Sequence, residues 1–185
     1  MKKKTVALLL ALVLVFGVAA GGTLAWLTAK SDVVTNTFTK SDISIELKET
    51  KSDFKMVPGW TIDKDPQVTV KAGSEDCWLF VKLDKSANFN NFMTYSMATG
   101  WEPVERETNV YARKVKSTDT VKTFSVLAND KVSVKDTVTK EMMTAEDYVN
   151  PTLTVSAYAC QLYSTNGVEF SVTDAWAKIN PTSGN

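Results

Sequence analysis

The chain has 185 residues, with 21 basic and 21 acidic side chains and no histidine. Without histidine, a Ser-His-Asp triad, a Cys-His pair and a His-x-x-x-His zinc site are all excluded, because each needs an imidazole. A balanced charge without a basic stripe also argues against nucleic acid as a partner. Carboxylate-only chemistry, such as glycoside hydrolysis, remains compatible with this composition.

The N-terminus has the three parts of a secretory signal peptide. Residues 2–4 are lysines, residues 6–16 form an apolar block, and residues 21–25 are mostly small. This order predicts a helical signal peptide, cleaved between Ala25 and Trp26, and a secreted protein that is extracellular or on the cell surface. The alternative is an uncleaved anchor, since about 20 apolar residues suffice to span a bilayer. In either case only the uncleaved segment would contact the membrane.

Short alternating or β-branched runs, separated by turn residues, dominate the rest of the chain and predict strands. Residues 42–49 alternate cleanly, with Ile43, Ile45 and Leu47 on one face. Residues 77–83 are apolar on nearly both faces, which is typical of a central strand in a two-layer structure. The other predicted strands span residues 67–71, 110–115, 121–127, 131–135 and 152–163.

Helix is scarce in this pattern. Residues 87–97 favour a short helix or a turn-rich loop, and residues 140–147 favour another short helix. Residues 171–179 favour a closing helix with Thr173 or Asp174 as its N-cap. The predicted fold class is therefore all-β, an antiparallel β-sandwich of the jelly-roll type with a few short helices. We predict a signal peptide at 1–25, an N-terminal arm at 26–40 and a β-sandwich domain at 41–185.

Two cysteines and four carboxylates are the remaining candidates for a site. Cys77 and Cys160 could form one disulfide if their strands are neighbours, or remain two buried thiols. The best acidic candidates for a calcium ion are Asp63, Asp65, Glu75 and Asp76. Their spacing matches no calcium loop, and loop carboxylates are usually solvated, so we predict no metal and no cofactor.

Four stretches, taken in order, carry a family resemblance. They are residues 21–38, with Ala25-Trp26 and Asn36-x-Phe38, residues 42–47, residues 57–83, and residues 155–161 followed by Asp174-x-Trp176. Together they resemble the TasA/camelysin family of exported proteins, whose signal peptides are processed by a signal peptidase of the SipW kind. The resemblance implies a jelly-roll-like β-sandwich, export and a structural role in surface filaments or biofilm matrix.

Members of this family assemble by donor-strand exchange, with themselves or with related matrix subunits. The resemblance implies that residues 26–38 form the exchanged arm, with Trp26, Val34 and Phe38 filling apolar pockets of the next subunit. Such a contact is heterologous and propagates as a filament. In the alternative, the arm pairs with its own sandwich and the protein is a monomeric surface binding module. Some camelysin-like proteins are described as metallopeptidases, but a chain without histidine is not expected to be an enzyme of that kind.

Overall fold

The computed structural model describes residues 28–31, 43–50 and 54–179, the first range by its backbone alone. The strands are β1 (Thr28–Ser31), β2 (Ile45–Lys48), β3 (Thr61–Asp63), β4 (Gln67–Val70), β5 (Cys77–Lys85), β6 (Met93–Thr94), β7 (Glu102–Pro103), β8 (Val110–Val115), β9 (Thr123–Ser125), β10 (Lys131–Val134) and β11 (Leu153–Gln161). The helices are α1 (Phe89–Phe92), α2 (Lys140–Thr144) and α3 (Val172–Ile179). None of the helices within these ranges is long and apolar enough to cross a membrane.

Every pair of named strands is antiparallel, which confirms the predicted all-β class. One layer is a five-stranded sheet in the order β1-β11-β5-β8-β7. Its centre is the pair β5 and β11, in register from Leu153 opposite Lys85 to Gln161 opposite Cys77. The two longest strands, each of nine residues, are therefore neighbours within this sheet.

The second layer consists of two three-stranded sheets, β2-β4-β9 and β3-β10-β6. Each sheet is extended towards the other by one backbone hydrogen bond. Val126 N–H donates to the Pro66 carbonyl at 2.9 Å, next to the pair β4 and β9, and Lys64 N–H donates to the Asp130 carbonyl at 2.8 Å, next to the pair β3 and β10. The segment from β3 to β4 thus runs antiparallel to the segment from β9 to β10, and the strand pairing between the two segments is interrupted once, between the two sheets. Pro66 lies at the interruption, where a residue without an N–H group removes no ladder bond.

The main core lies between the two layers. Alternate residues of β5 point into it, since side chains of a strand alternate between faces. Residues buried in this core are Ile45, Val68 and Val70 from the second layer and Cys77, Leu79, Val81, Leu83, Val115, Ala157 and Ala159 from the first. The alternation predicted for residues 42–49 therefore places Ile43 and Ile45 on the buried side, as expected.

A second core covers the opposite face of the five-stranded sheet, beneath α3. Phe80 is fully buried there, with its ring centroid 5.3 Å from that of Trp176 on the helix. Tyr158 packs edge-on against the same indole at 5.4 Å. The helix explains why β5 is apolar on both faces in its first half. Beyond this core the same face of β5 turns polar, with Lys82 and Asp84 forming an ion pair at 3.0 Å.

The N-cap of α3 is Ser171, not Thr173 or Asp174 as predicted. The Ser171 hydroxyl accepts a hydrogen bond from Asp174 N–H at 3.1 Å and donates one to the Asp174 carboxylate at 2.7 Å. The first bond is an N-cap, which satisfies a backbone donor that the helix itself cannot pair, and the second holds the hydroxyl in place. The helix therefore begins at Val172, earlier than its sequence pattern indicated.

We expect Ser171→Ala to lower the free energy of unfolding by about 1 kcal/mol, because the lost hydroxyl leaves Asp174 N–H without its protein acceptor. Thr173→Ala is the matched control, since Thr173 is exposed and makes no capping bond in the described part of the chain. Urea unfolding of both variants gives the comparison. Equal stabilities of the two variants would contradict the assignment of Ser171 as the cap.

Cys77 and Cys160 are free, buried thiols, so the disulfide considered from sequence does not form in this fold. Their strands are neighbours, as a bridge requires, but Cys77 is opposite Gln161 and Cys160 is opposite Trp78. This offset of one residue puts the two side chains on opposite faces of the sheet. Cys77 accordingly lies in the main core and Cys160 in the core beneath α3. Burial raises the pKa of the Cys77 thiol to about 12 and that of Cys160 to about 11.

Arg113 packs its guanidinium group against two aromatic rings on the core side of β8. It is opposite Leu79 in the register of β8 and β5, and hence on the core face. Its guanidinium lies 3.8 Å from the ring centroid of Phe124 and 5.2 Å from that of the buried Trp101. Burial lowers the pKa of this guanidinium below its ordinary value. Gly100, at φ +91°, leaves the space it needs, because a Cβ there would come within 2.6 Å of Arg113 Nη2.

Candidate assembly site

The edge strand of the five-stranded sheet comes from the predicted N-terminal arm. β1 pairs with β11 of the same chain, in register from Thr28 opposite Cys160 to Ser31 opposite Ala157. β1 also lies next to β2 and α3, at the seam between the two layers. Residues 28–31 therefore occupy the edge position beside β11. A donor strand from another subunit would occupy the same position in an assembly.

β1 covers only part of β11. The segment of β11 from Leu153 to Ser156 lies beyond Ser31 and has no partner strand on this edge among the residues that the structure describes. An edge of this kind presents backbone N–H and C=O groups to any strand that can add to it. Within the described ranges, the segment from Leu153 to Ser156 is therefore the part of this edge to which a further strand could pair.

An apolar cleft of about 860 Å³ lies beside this uncovered edge. Leu153 and Val155 of β11 form part of its wall. The other apolar residues that line it are Leu47, Phe54, Met56, Ile62, Pro66, Phe89, Met93, Val132 and Pro151. Polar groups of the lining come from Lys48, Glu49, Thr50, Lys64, Asn150, Thr152 and Thr154. Strand addition needs backbone partners for affinity and side-chain pockets for specificity. The half of β11 that no described strand pairs with on this edge and the cleft together provide both.

One ion pair marks the wall of the cleft nearest β2. Lys64 Nζ lies 2.6 Å from a Glu49 carboxylate oxygen and 5.6 Å from the centroid of the Phe54 ring. The lysine stem covers apolar surface while its ammonium group remains paired. This arrangement neutralises the charge at the wall, so the cleft favours apolar side chains over charged ones.

The opposite edge of the same sheet is blunted. β7 has only two residues, and one of them is Pro103, which has no N–H to offer. Very short edge strands and edge prolines both oppose the addition of another strand. Extension of this sheet is therefore expected at the β1 edge and not at the β7 edge.

Several of the predicted site residues lie outside the part of the chain that the structure describes. Ala25, Trp26, Val34 and Phe38 lie outside the described residues, so the cleavage site and the anchoring role of the arm stay predictions. Sequence reasoning did not find the receptor side of the site. The sequence pattern that could have indicated the cleft is the alternation of Phe54 and Met56 just before the Pro58-Gly59 turn. That run is too short to predict a strand.

The four carboxylates considered for a metal ion are each accounted for by the fold. Asp63 pairs with Lys131, and Asp65 accepts hydrogen bonds from the backbone and hydroxyl of Thr50 at 3.0 and 2.7 Å. Asp76 accepts from Ser117 N–H at 2.7 Å and pairs with a lysine, whereas Glu75 is exposed. Across residues 28–31, 43–50 and 54–179, no three His, Cys, Asp or Glu side chains gather as a metal site would require.

The environment of Asp76 predicts that part of the protein's stability is lost in acid. The backbone N–H of Ser117, followed by its side chain and Lys116, lowers the pKa of Asp76 from 3.8 to about 2. A lowered pKa adds stability that is fully present above pH 3.8 and is lost as the pH falls through about 2. Asp76→Asn should therefore lower stability at pH 7 and flatten the loss between pH 4 and 2, measured by urea unfolding. The control is Asp136→Asn, and an unchanged pH profile in Asp76→Asn would contradict this role.

Comparison with protein-family models, with curated proteins and with solved structures finds no match to this chain.

Proposed function

We propose that this chain is an exported structural subunit of cell-surface filaments or biofilm matrix, which assembles by exchange of its N-terminal arm. The observation that carries the proposal is the position of β1. The only described part of the arm is an edge strand, and beyond it the segment from Leu153 to Ser156 has no partner on this edge among the described residues and lies beside the apolar cleft. Membership of the TasA/camelysin family and a jelly-roll strand order are parts of this proposal.

The exchange has a simple energetic basis. If β1 of one subunit leaves β11 and the arm of a neighbour takes its place, the backbone hydrogen bonds lost and gained are equivalent. The net gain must then come from apolar side chains of the arm that enter the cleft, at about 25 cal/mol for each Å² removed from water. The contact joins two different surfaces, so it repeats head to tail instead of closing into a dimer.

The proposal is tested first by the state of the native protein. We expect protein purified from the culture medium and the cell surface to have an intact mass that starts at Trp26 and to form thin filaments in negative stain. A mass that retains Met1 would contradict export with cleavage. Monomers starting at Trp26, with no filaments, would contradict assembly and support the alternative of a monomeric surface binding module.

A further inference from the structure

A second pocket, polar in character, lies at the other end of β11 from the apolar cleft. It has a volume of about 510 Å³ and includes Gln161, the last residue of the strand. From Leu153 to Gln161 an extended strand covers about 26 Å, so an occupant of one pocket does not reach the other. The volume is within the range of about 300–1,000 Å³ found for small-ligand sites.

The walls of this polar pocket are held in place by hydrogen bonds. Ser74 is buried, and its hydroxyl accepts from Ser44 N–H at 3.0 Å, which ties the turn before β5 to the second layer. Asp76 ties the same loop to Ser117 at the end of β8. The Tyr163 hydroxyl is fixed by Lys116 Nζ at 2.6 Å. A preorganised site of this kind loses little conformational entropy when a ligand binds.

Several polar groups of the pocket can form further hydrogen bonds. The Gln161 amide and the Glu75 carboxylate have no side-chain hydrogen bond to any residue in the described ranges. Lys122 Nζ donates one bond, to the Ser117 carbonyl at 2.9 Å, and has two further N–H groups. Tyr163 is 38% exposed beside them, with Lys116 Nζ 4.9 Å from the centroid of its ring. The pocket thus offers donors, acceptors and an aromatic surface together.

The charges of the pocket balance. Glu75, Asp76 and Lys122 are the charged residues of the lining. Lys116 lies outside the lining and neutralises Asp76 through an ion pair of 3.0 Å, which leaves Glu75 and Lys122 as opposite charges. A phosphate would meet two carboxylates, and a metal cation would meet the Lys122 ammonium group. Neither ion gains the uncompensated opposite charge that favours its binding. The fitting ligand is neutral and rich in hydrogen-bonding groups.

We propose that this pocket binds a neutral saccharide unit, a hexose or an N-acetylhexosamine of a polysaccharide. Each sugar hydroxyl both donates and accepts, which matches the amide of Gln161, the acceptor Glu75 and the donor Lys122. The apolar face of a pyranose ring can pack on the exposed Tyr163 ring. This binding does not depend on arm exchange, because the pocket is complete within one folded chain.

The test is an NMR titration of ¹⁵N-labelled protein without the arm, residues 39–185, because the chain that starts at Trp26 is expected to form filaments and no residue of the pocket lies in the arm. The titrants are cellobiose and chitobiose and, separately, inorganic phosphate and Ca²⁺. We expect one of the disaccharides to shift backbone amide signals of Ser117, Gln161 and Tyr163, with a Kd of about 1 mM. Glu75→Gln and Gln161→Ala should each weaken binding about tenfold, as expected from loss of one hydrogen bond of roughly 1.4 kcal/mol.

Glu146→Gln is the matched control, since Glu146 is exposed and lies outside the pocket. The same spectra show whether each variant is folded, so loss of binding cannot be confused with loss of structure. Absence of localised shifts with both disaccharides at roughly 50 mM would overturn the proposal. So would tighter binding of phosphate or Ca²⁺ than of either sugar, or equal affinity in all three variants.

Discussion

Deletion of residues 26–38 from the mature chain should abolish polymerisation while leaving a folded monomer. The deletion removes β1, which contributes four register pairs to the edge of β11, and leaves the nine-residue pairing of β5 with β11 intact. The buried residues described for the core between the layers and for the core beneath α3 lie between Ile43 and Trp176, outside the deleted segment. Negative-stain imaging shows the loss of filaments, and near-ultraviolet circular dichroism shows whether tertiary packing persists.

A synthetic peptide of residues 26–38 sharpens this experiment. Added in excess to the deleted protein, it should raise the melting temperature, because a ligand that binds only the folded state stabilises that state by mass action. A peptide of the same composition in scrambled order is the control. Filaments formed by the deleted protein would rule out the arm as the assembly element.

Large losses of stability are expected at two adjacent positions of β5. Leu79 is fully buried between the layers, and Phe80 is fully buried beneath α3. We expect Leu79→Ala to cost about 2–5 kcal/mol and Phe80→Ala about 3–5 kcal/mol, since each leaves a cavity in a packed core. Val121→Ala, at an exposed site, should change stability by less than about 0.5 kcal/mol.

The pair of substitutions distinguishes two architectures. In a two-layer sandwich with one solvated face, only one of two adjacent strand residues is in the core, because side chains alternate. In the fold described above, α3 buries the other face as well. Urea unfolding gives the free energy of unfolding of both variants and so distinguishes the two architectures. A Phe80→Ala variant as stable as Val121→Ala would mean that α3 does not cover the sheet.

The long strands could be predicted from sequence because their signals are local. The run of residues 110–115 and the strand β8 coincide, and β4, β5, β10 and β11 agree with their predicted runs within a few residues. β3, β6 and β7 were not predicted, since two or three residues contain no periodicity. Their partners across the sheet, such as Tyr111 opposite Pro103, decide that these residues are strands.

Long-range packing explains the other differences. Residues 87–97 divide into α1 and β6 because Met93 pairs with Val134, a contact that helical spacing cannot reveal. Trp60 and Trp101 each follow a glycine in the sequence, yet Trp60 is 64% exposed and Trp101 is buried against Arg113. The cleft is formed by residues from β2, β3, β10 and β11, and only the fold brings them together.

The most direct measurement for the central claim uses the register of β1. Thr28 is opposite Cys160, so the single substitution Thr28→Cys places a new thiol across from a native one. Directly opposite residues have Cβ atoms about 4.5–5.5 Å apart, close enough for a disulfide after a small adjustment. Thr28→Cys protein is assembled under reducing conditions, oxidised, and separated on a denaturing gel without reductant.

Arm exchange predicts a ladder of covalent multimers, because each new bond joins two subunits. The ladder should be absent when Cys160→Ala is added to the same chain, and it should not depend on Cys77, which faces the other core. If filaments are present but oxidation yields only monomers bridged within one chain, β1 stays in its own sandwich and the account of assembly is contradicted.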